Sequence, residues 1–467
     1  MKNKPKTRKI ILLTGCLSLA LLVVVFVSFS LISNKEVHFT SIAQEQVPPP
    51  PQEIDHIAWE WDPPEDQQTN SVMPGLMGPI AVSGRGVTGL DGTTGEELWG
   101  YLSALESSDF SASVTPDGQH AVIAETRGSL LGERTHISLL DTMTGEVQDR
   151  YSYSPESPYT NLLNLSDHNW LEVRDDGFVA RDLNNGGIAW EYQPDSGCHI
   201  QSINGMESFQ NYADYSIAAS GDHYFLTQIC DSHSGELMND YYQIGDLISL
   251  DAINGEIAWS SKDAILFDKV RIDLEDDYIS KVNISRDESS ILAHTTSGFT
   301  IFEIESGKVI QEETRDFNSK SDLSDSLFDF SSKYASIYER ERGTYHLPGF
   351  SKFDLENGEA IYQIQENDEY TANFGLGYER INTSTSSSRA LSLDGGVVMA
   401  GCTDECIEDR SDDAVLFVPW DEQDSEPIVI SEKIGWISDK DGALFLEAPG
   451  SVILYQTGSG GSIIGLA

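Results

Sequence analysis

Positive charge is scarce in this chain. Its 467 residues include 29 lysines and arginines against 76 aspartates and glutamates, a formal net charge of −47. Five of the positives (Lys2, Lys4, Lys6, Arg8 and Lys9) fall within the first nine residues, leaving 24 basic against 76 acidic for the rest. A field of that sign excludes nucleic acid as a partner and flat docking on anionic lipid. It suits a solvated, self-repelling exterior, and it leaves a cationic protein partner as the electrostatic match. Catalytic signatures are missing too. The ten histidines are scattered, with no H-E-x-x-H, no G-x-S-x-G elbow and no G-x-x-x-x-G-K loop. The one glycine-rich stretch, TGSGGS at Gly458, Gly460 and Gly461, lacks the lysine and helix that a phosphate loop needs. Helical periodicity is absent beyond residue 33.

Only one long apolar run exists. Ile10 to Ser33 has 24 residues without a charge, enough to cross ~30 Å of hydrocarbon with some tilt. The lysines and arginine before it predict a cytoplasmic amino terminus and an external body: a single-pass protein of the cell membrane. A cleaved secretory signal, with a site near Ser41-Ile42-Ala43, and a lipoprotein modified at Cys16 in Leu13-Thr14-Gly15-Cys16 are the rival readings. All three put the body outside. The predicted organisation is a cytoplasmic tail (1–9), a signal-anchor helix (10–33), a proline-rich linker (34–53) and one domain (54–467). The linker's VPPPP run is read as a stiff spacer that holds the domain off the membrane.

Cysteine is sparse. Beyond Cys16 there are four: Cys198, Cys230, Cys402 and Cys406. An even number outside the membrane points to disulfides, with three possible pairings, and nearness in sequence favours Cys198–Cys230 and Cys402–Cys406. C-x3-C alone, with no second pair, is a poor metal signal.

What the chain has in quantity is a repeat. VTGLDGTTGEELW at Val87 returns at Ile137, Phe178, Leu247, Phe299 and Phe350 as an apolar run, an acidic residue, a polar turn closing on Gly, and a second run. That is a pair of strands around a turn needing φ > 0. The acidic anchors are Asp91, Asp141, Asp182, Asp251, Glu303 and Asp354, spaced by 50, 41, 69, 52 and 51 residues. This is the period of a four-stranded propeller blade. A second piece, VTPDGQHAVIA at Val114, ISRDESSILAH at Ile284 and LSLDGGVVMAG at Leu391, reads as a turn and an inner strand. The fold class is therefore all-β, a seven- or eight-bladed β-propeller of four-stranded blades behind one transmembrane helix. IDHIAWEWD (54–62) has no partners before it and completes the last blade, with GWIS, ALFLEA and VILYQTG as the other strands. Closure removes the open sheet edges.

The unit L-D-x-x-x-G-E-x-x-W, as in Leu90 to Trp99 and Leu250 to Trp259, resembles the repeat of the pyrroloquinoline-quinone-like propeller superfamily. Its members include quinoprotein dehydrogenases and cofactor-free relatives such as the propeller lipoprotein of outer-membrane protein assembly. The resemblance implies that Trp99, Trp190 and Trp259 pack blade on blade, while Asp149, Gln311 and Tyr362 break the pattern. It also implies that an enzyme of this kind would hold its quinone against a ring of adjacent cysteines, with calcium beside it. This chain has no Cys-Cys dipeptide, and Cys402 and Cys406 stand too far apart in sequence to form that ring. No catalytic, cofactor or metal position carries over, and no cofactor is expected; pyrroloquinoline quinone and Ca2+ are the alternatives.

The recurring acidic residue accepts backbone N–H bonds inside its own turn, a structural role. Acidic stretches at Asp273 to Asp277 and Asp439 to Gly442 lack a full calcium ligand series. Polar inserts between blades are where propellers bind, and Tyr370, Phe374, Tyr378 and Arg380 combine aromatic and charged groups in one of them. The function expected is a non-catalytic protein- or peptide-binding platform at the bacterial cell envelope. A tethered quinoprotein dehydrogenase and a calcium- or glycan-binding module are the alternatives.

Overall fold

In a computed structural model the described residues are 37–40, 48–64, 67–103, 109–129, 132–153, 163–174, 177–196, 198–200, 217–233, 241–261, 281–285, 287–295, 298–314, 327–330, 334–339, 349–354, 360–365, 390–401, 414–419, 428–431, 443–456 and 461–467. They contain no α-helix, and their strands sort into eight antiparallel sheets. Taken in order, the sheets span 69–102, 109–153, 163–192, 198–260, 281–314, 327–365, 390–431 and 443–466, the last joined by Ile57–Trp61. Innermost strands of neighbouring sheets pack on one another, as Thr69–Pro74 on Asp109–Val114 and, from Leu163–Leu165 on Ile217–Ala219, round to Ala443–Ala448, which packs back on Thr69–Pro74. The molecule is a β-propeller.

Why the alternation of apolar and polar residues fades in the inner strands is visible here. Each sheet is covered on both faces by its neighbours, so a strand such as Pro79–Ser83 is buried along its whole length. Apolar clusters accordingly straddle two sheets each. One joins Met73, Ile80, Val87 and Trp99 to Val114, Ile123 and Leu140, and another joins Leu171, Phe178 and Trp190 to Tyr224, Leu226 and Leu250.

Within a sheet the chain runs outward strand by strand. The turns joining first to second strand and third to fourth strand therefore lie on one broad face, here called upper. Backbone bonds tie the two turns together: Gly92 N–H donates to Met77 O (2.9 Å), Thr142 N–H to Gln119 O (2.9 Å) and Ala252 N–H to Asp222 O (2.8 Å). The lower face carries the second-to-third-strand turns and the ends of strands that lead from one sheet to the next. One device recurs in all eight sheets. The register between the two outer strands shifts beside the turn, as at Gly89/Leu90, Ala180/Arg181 and Ser249/Leu250. Such bulges increase the local twist.

Two expectations need correction, and one strand was not foreseen: Thr69–Pro74, ahead of the first repeat, supplies the inner strand of the first sheet. In the closing sheet the strand after Ser451–Gln456 is Ile463–Leu466, which pairs with Ile57–Trp61; GWIS lies outside the described residues. The stretch 34–53 is not simply a spacer. Val37–Thr40 forms a fifth strand on the outer edge of the first sheet, with Val37 opposite Leu102 and Thr40 opposite Trp99. The proline run then lies on the upper face, where Pro49 O accepts from Gly450 N–H (3.3 Å) and Gln52 O from Gly395 N–H (3.1 Å). Among the described residues no helix is long and apolar enough to cross a membrane, and residues 10–33 fall outside them.

Candidate functional site

The repeat positions build a latch between sheets. Asp91 Oδ1 accepts from Thr93 N–H (2.8 Å) and Thr94 N–H (2.9 Å). Asp141 accepts from Thr144 N–H, Asp182 from Asn184 and Asn185 N–H, and Asp251 from Ile253 and Asn254 N–H. Each turn closes on a left-handed glycine, Gly95, Gly145, Gly186, Gly255 or Gly307, with φ of 65 to 72°. The preceding sheet's aromatic ring lies flat over that glycine, where no Cβ would fit: Trp59 over Gly95, Trp99 over Gly145, Trp190 over Gly255 and Trp259 over Gly307. Each indole then donates Nε1–H to the carbonyl that follows the acidic residue: Trp59 to Gly92 (2.9 Å), Trp99 to Thr142 (2.6 Å), Trp190 to Ala252 (2.8 Å) and Trp259 to Ile304 (2.6 Å). These contacts join each of these sheets to the next. Sequence reading left the second sheet without its aromatic because Asp149 stands at the pattern position. Tyr151, two residues on, covers Gly186 instead. Asp354 ends the strand Gly349–Asp354.

Of the other predicted residues, Tyr370, Phe374, Tyr378, Arg380, Cys402 and Cys406 lie outside the described residues. Cys198 is disulfide-bonded. Its strand Cys198–Ile200 pairs with the strand His223–His233, with Cys198 directly opposite Cys230.

A different feature gives the upper face its chemistry. Around its inner rim the first-to-second-strand turns of four consecutive sheets present Asp117, Asp167, Asp222 and Glu288, linked from sheet to sheet. Asp117 N–H donates to Asp167 Oδ1 (3.0 Å), Asp167 N–H to Gly221 O (3.1 Å), and Gly221 N–H to Glu288 Oε2 (2.7 Å). His168 Nε2 lies 3.0 Å from Asp222 Oδ1 at the exposed side of the row. Glu288 sits at φ +55°, unusual for a side-chain-bearing residue and the only such case among the described residues. Burial, and then the charges of Asp117 and Asp222, hold the Asp167 carboxyl above its usual range, against the pull of the Asp117 N–H bond. Glu288 is raised in the same way, by burial first and then by Asp167, Asp222 and Asp117, against the Gly221 N–H bond. Like charges at close quarters with too few partners are attracted to an external cation. Among the described residues no group of three or more His, Cys, Asp or Glu is arranged to hold a metal ion.

The sequence had shown Asp117, in TPDG, only as a turn former. Asp167 in SDHN and Asp222 in SGDH stand at the same turn but are followed by His168 and His223, where TPDG and LSLDGG have a glycine. At SRDESS the neighbouring Asp287 is occupied inside its own turn by Ser285 Oγ–H and Ser289 N–H, and it is Glu288 that joins the row.

No family model and no curated protein matches the chain. Solved structures do. The dipeptidyl peptidase 4 of Porphyromonas gingivalis is similar with a TM-score of 0.50 at 10% identity, over 85% of this chain and 56% of that one. The chain thus spans little more than half of that relative's length. Hsv2 of Kluyveromyces lactis (TM-score 0.37, 10% identity, 75% of this chain and 93% of that) and the Pan2 WD40 domain of Neurospora crassa (0.35, 9%, 76% and 88%) are also found. The likeness is one of fold.

Proposed function

We propose that the chain is an eight-bladed propeller of the pyrroloquinoline-quinone-like repeat type, tethered outside the cytoplasmic membrane by residues 10–33. In this reading it is a non-catalytic platform that takes a cationic protein or peptide segment on its upper face. The observation that carries it is the row Asp117, Asp167, Asp222 and Glu288, acidic residues on the same turn of four consecutive sheets, joined at one end by the Asp117 N–H while the Asp117 carboxylate accepts from Thr115 and Gln119 in its own turn. Such a row matches lysine and arginine side chains spaced along an extended peptide. A surface of net charge −47 would speed the encounter, and salt would weaken it over a Debye length of about 8–10 Å.

The test uses full-length protein in detergent and isothermal titration with a lysine-rich and a glutamate-rich peptide. Binding of the first alone, weakened by salt and lost in Asp167→Asn/Asp222→Asn/Glu288→Gln, is expected. A control triple variant, Glu60→Gln/Glu96→Gln/Glu256→Gln, removes equal charge from exposed positions elsewhere. Equal weakening by both triples would refute a dedicated site. Saturable quenching of tryptophan fluorescence by pyrroloquinoline quinone with calcium would refute the non-catalytic reading.

A further inference from the structure

The fifth strand of the first sheet has a built-in seat. Phe39 lies over Gly100, at a position where a Cβ would collide with its ring, and Gly100 is directly opposite Phe39 in the register. An aromatic covering a cross-strand glycine pins register on an edge strand. The glycine is particular to this sheet. The residue after the latch aromatic is Glu60 beside Trp59, Glu191 beside Trp190 and Ser260 beside Trp259, whereas Trp99 is followed by Gly100. Only the sheet whose outer strand has a glycine there carries an additional outer strand among the described residues.

The direction of that strand has a consequence for the whole molecule. Val37 pairs with Leu102, at the lower end of the outer strand Glu97–Leu102, and Thr40 pairs with Trp99 towards the upper end. The uncharged run ends at Ser33, so three residues, 34–36, separate it from Val37. Fully extended, they reach at most ~11 Å.

We propose that strand Val37–Thr40, clamped by Phe39 on Gly100, fixes the propeller on the bilayer with the lower face of its first sheet towards the lipid and the carboxylate-bearing upper face outward. The partner surface here is the membrane itself. The arrangement also keeps the acidic row away from anionic headgroups, which its charge would repel. This rests on the reading of residues 10–33 as a membrane anchor, and the experiment separates the two.

Full-length protein is reconstituted into liposomes with a nitroxide quencher on the lipid headgroups. A fluorophore is placed through a bio-orthogonal amino acid at Arg85, in the exposed lower turn of the first sheet, or at Thr93, in its exposed upper turn. The connecting strand Gly86–Leu90 has five residues, which puts the two sites ~17 Å apart. Quenching at Arg85 is expected to exceed that at Thr93 by roughly twofold or more over that separation. Two substitutions should erase the difference. Gly100→Val pushes the ring off its seat, and Phe39→Gly removes the ring without touching the propeller body; circular dichroism reports whether each folds. Protein that floats with the liposomes but quenches equally at both sites would overturn the orientation and leave the anchor standing. Protein that does not float would overturn the anchor and the orientation with it. A difference that survives in Phe39→Gly would show that the strand does not set it.

Discussion

Gly145→Ala measures the latch between neighbouring sheets. Gly145 has φ +69°, where an L-residue costs about 1–2 kcal/mol. Its added Cβ would also lie 2.7 Å from Cβ, Cγ and Cδ2 of Trp99. Trp99 is wholly buried and held by its bond to Thr142 O, so it cannot yield, and overpacking of that kind adds about 1–3 kcal/mol. The expected cost is therefore about 2–5 kcal/mol. Trp99→Gly alone costs at least as much as a buried Trp truncation, about 3–5 kcal/mol, and because it removes Cβ together with the indole it leaves room for the alanine Cβ. In that background Gly145→Ala keeps only its backbone term. The double variant should therefore be about 1–3 kcal/mol more stable than the two single losses predict together. Urea unfolding followed by tryptophan fluorescence and by circular dichroism gives the four corners of the cycle. A parallel cycle with Gly186→Ala and Tyr151→Ala should show coupling of the same sign, because the Tyr151 ring occupies the same place. Additivity within about 0.5 kcal/mol in the first cycle would refute the claim that indole and glycine form one contact.

Other consequences are open to simpler measurements. Asp167 and Glu288 have carboxyls raised above their unfolded values, so the folded state binds protons more readily and stability should increase as pH falls through that raised range. Asp167→Asn and Glu288→Gln keep an acceptor for the Asp117 and Gly221 N–H groups, so each should flatten the pH dependence of the urea midpoint and raise it at neutral pH; an unchanged slope refutes the assignment. Arg181 pairs with buried Glu172, donates to Gly186 O and lies over the rings of Tyr153 and Trp170. Arg181→Met should cost about 3–5 kcal/mol by stranding the carboxylate, while Arg181→Met/Glu172→Met costs less; a larger loss in the double variant would contradict this. Peptide mapping without reductant should recover Cys198 linked to Cys230, and Cys198→Ser should cost about 2–5 kcal/mol.

How far the residues speak for themselves varies with the range over which they act. The turn from Asp91 to Gly95 is local, since its carboxylate, its two N–H donors and its left-handed glycine lie within five positions. It was legible wherever the spelling held. The latch is a contact between repeats, and a repeat pattern can suggest it only while both halves are spelled the usual way. Trp99 and Gly145 are, but Tyr151 is not: the outer-strand bulge falls at the same place in both sheets, and with aspartate at 149 the ring comes from Tyr151, two residues on along the same face of the strand. Thr69–Pro74 escaped notice for a related reason: TNSVMP is short, closes on proline, and is made a strand by its pairing with Pro79–Ser83.

The carboxylate row lies at the far end of that scale. Asp117 and Asp167 are 50 residues apart and Gly221 and Glu288 are 67 apart, and no propensity or spacing rule links them. They meet because the propeller sets the same turn of each sheet beside that of the next. Topology thereby gathers four of the 76 acidic residues at one rim. Val37–Thr40 obeys the same logic in reverse. VHFT alone resembles any linker, and it is a strand through its pairing with Trp99 to Leu102, where the glycine after Trp99 leaves room for the Phe39 ring. Where local preference is weak, the partner across the gap decides: Thr69–Pro74 is a strand through Pro79–Ser83, and Val37–Thr40 through Glu97–Leu102.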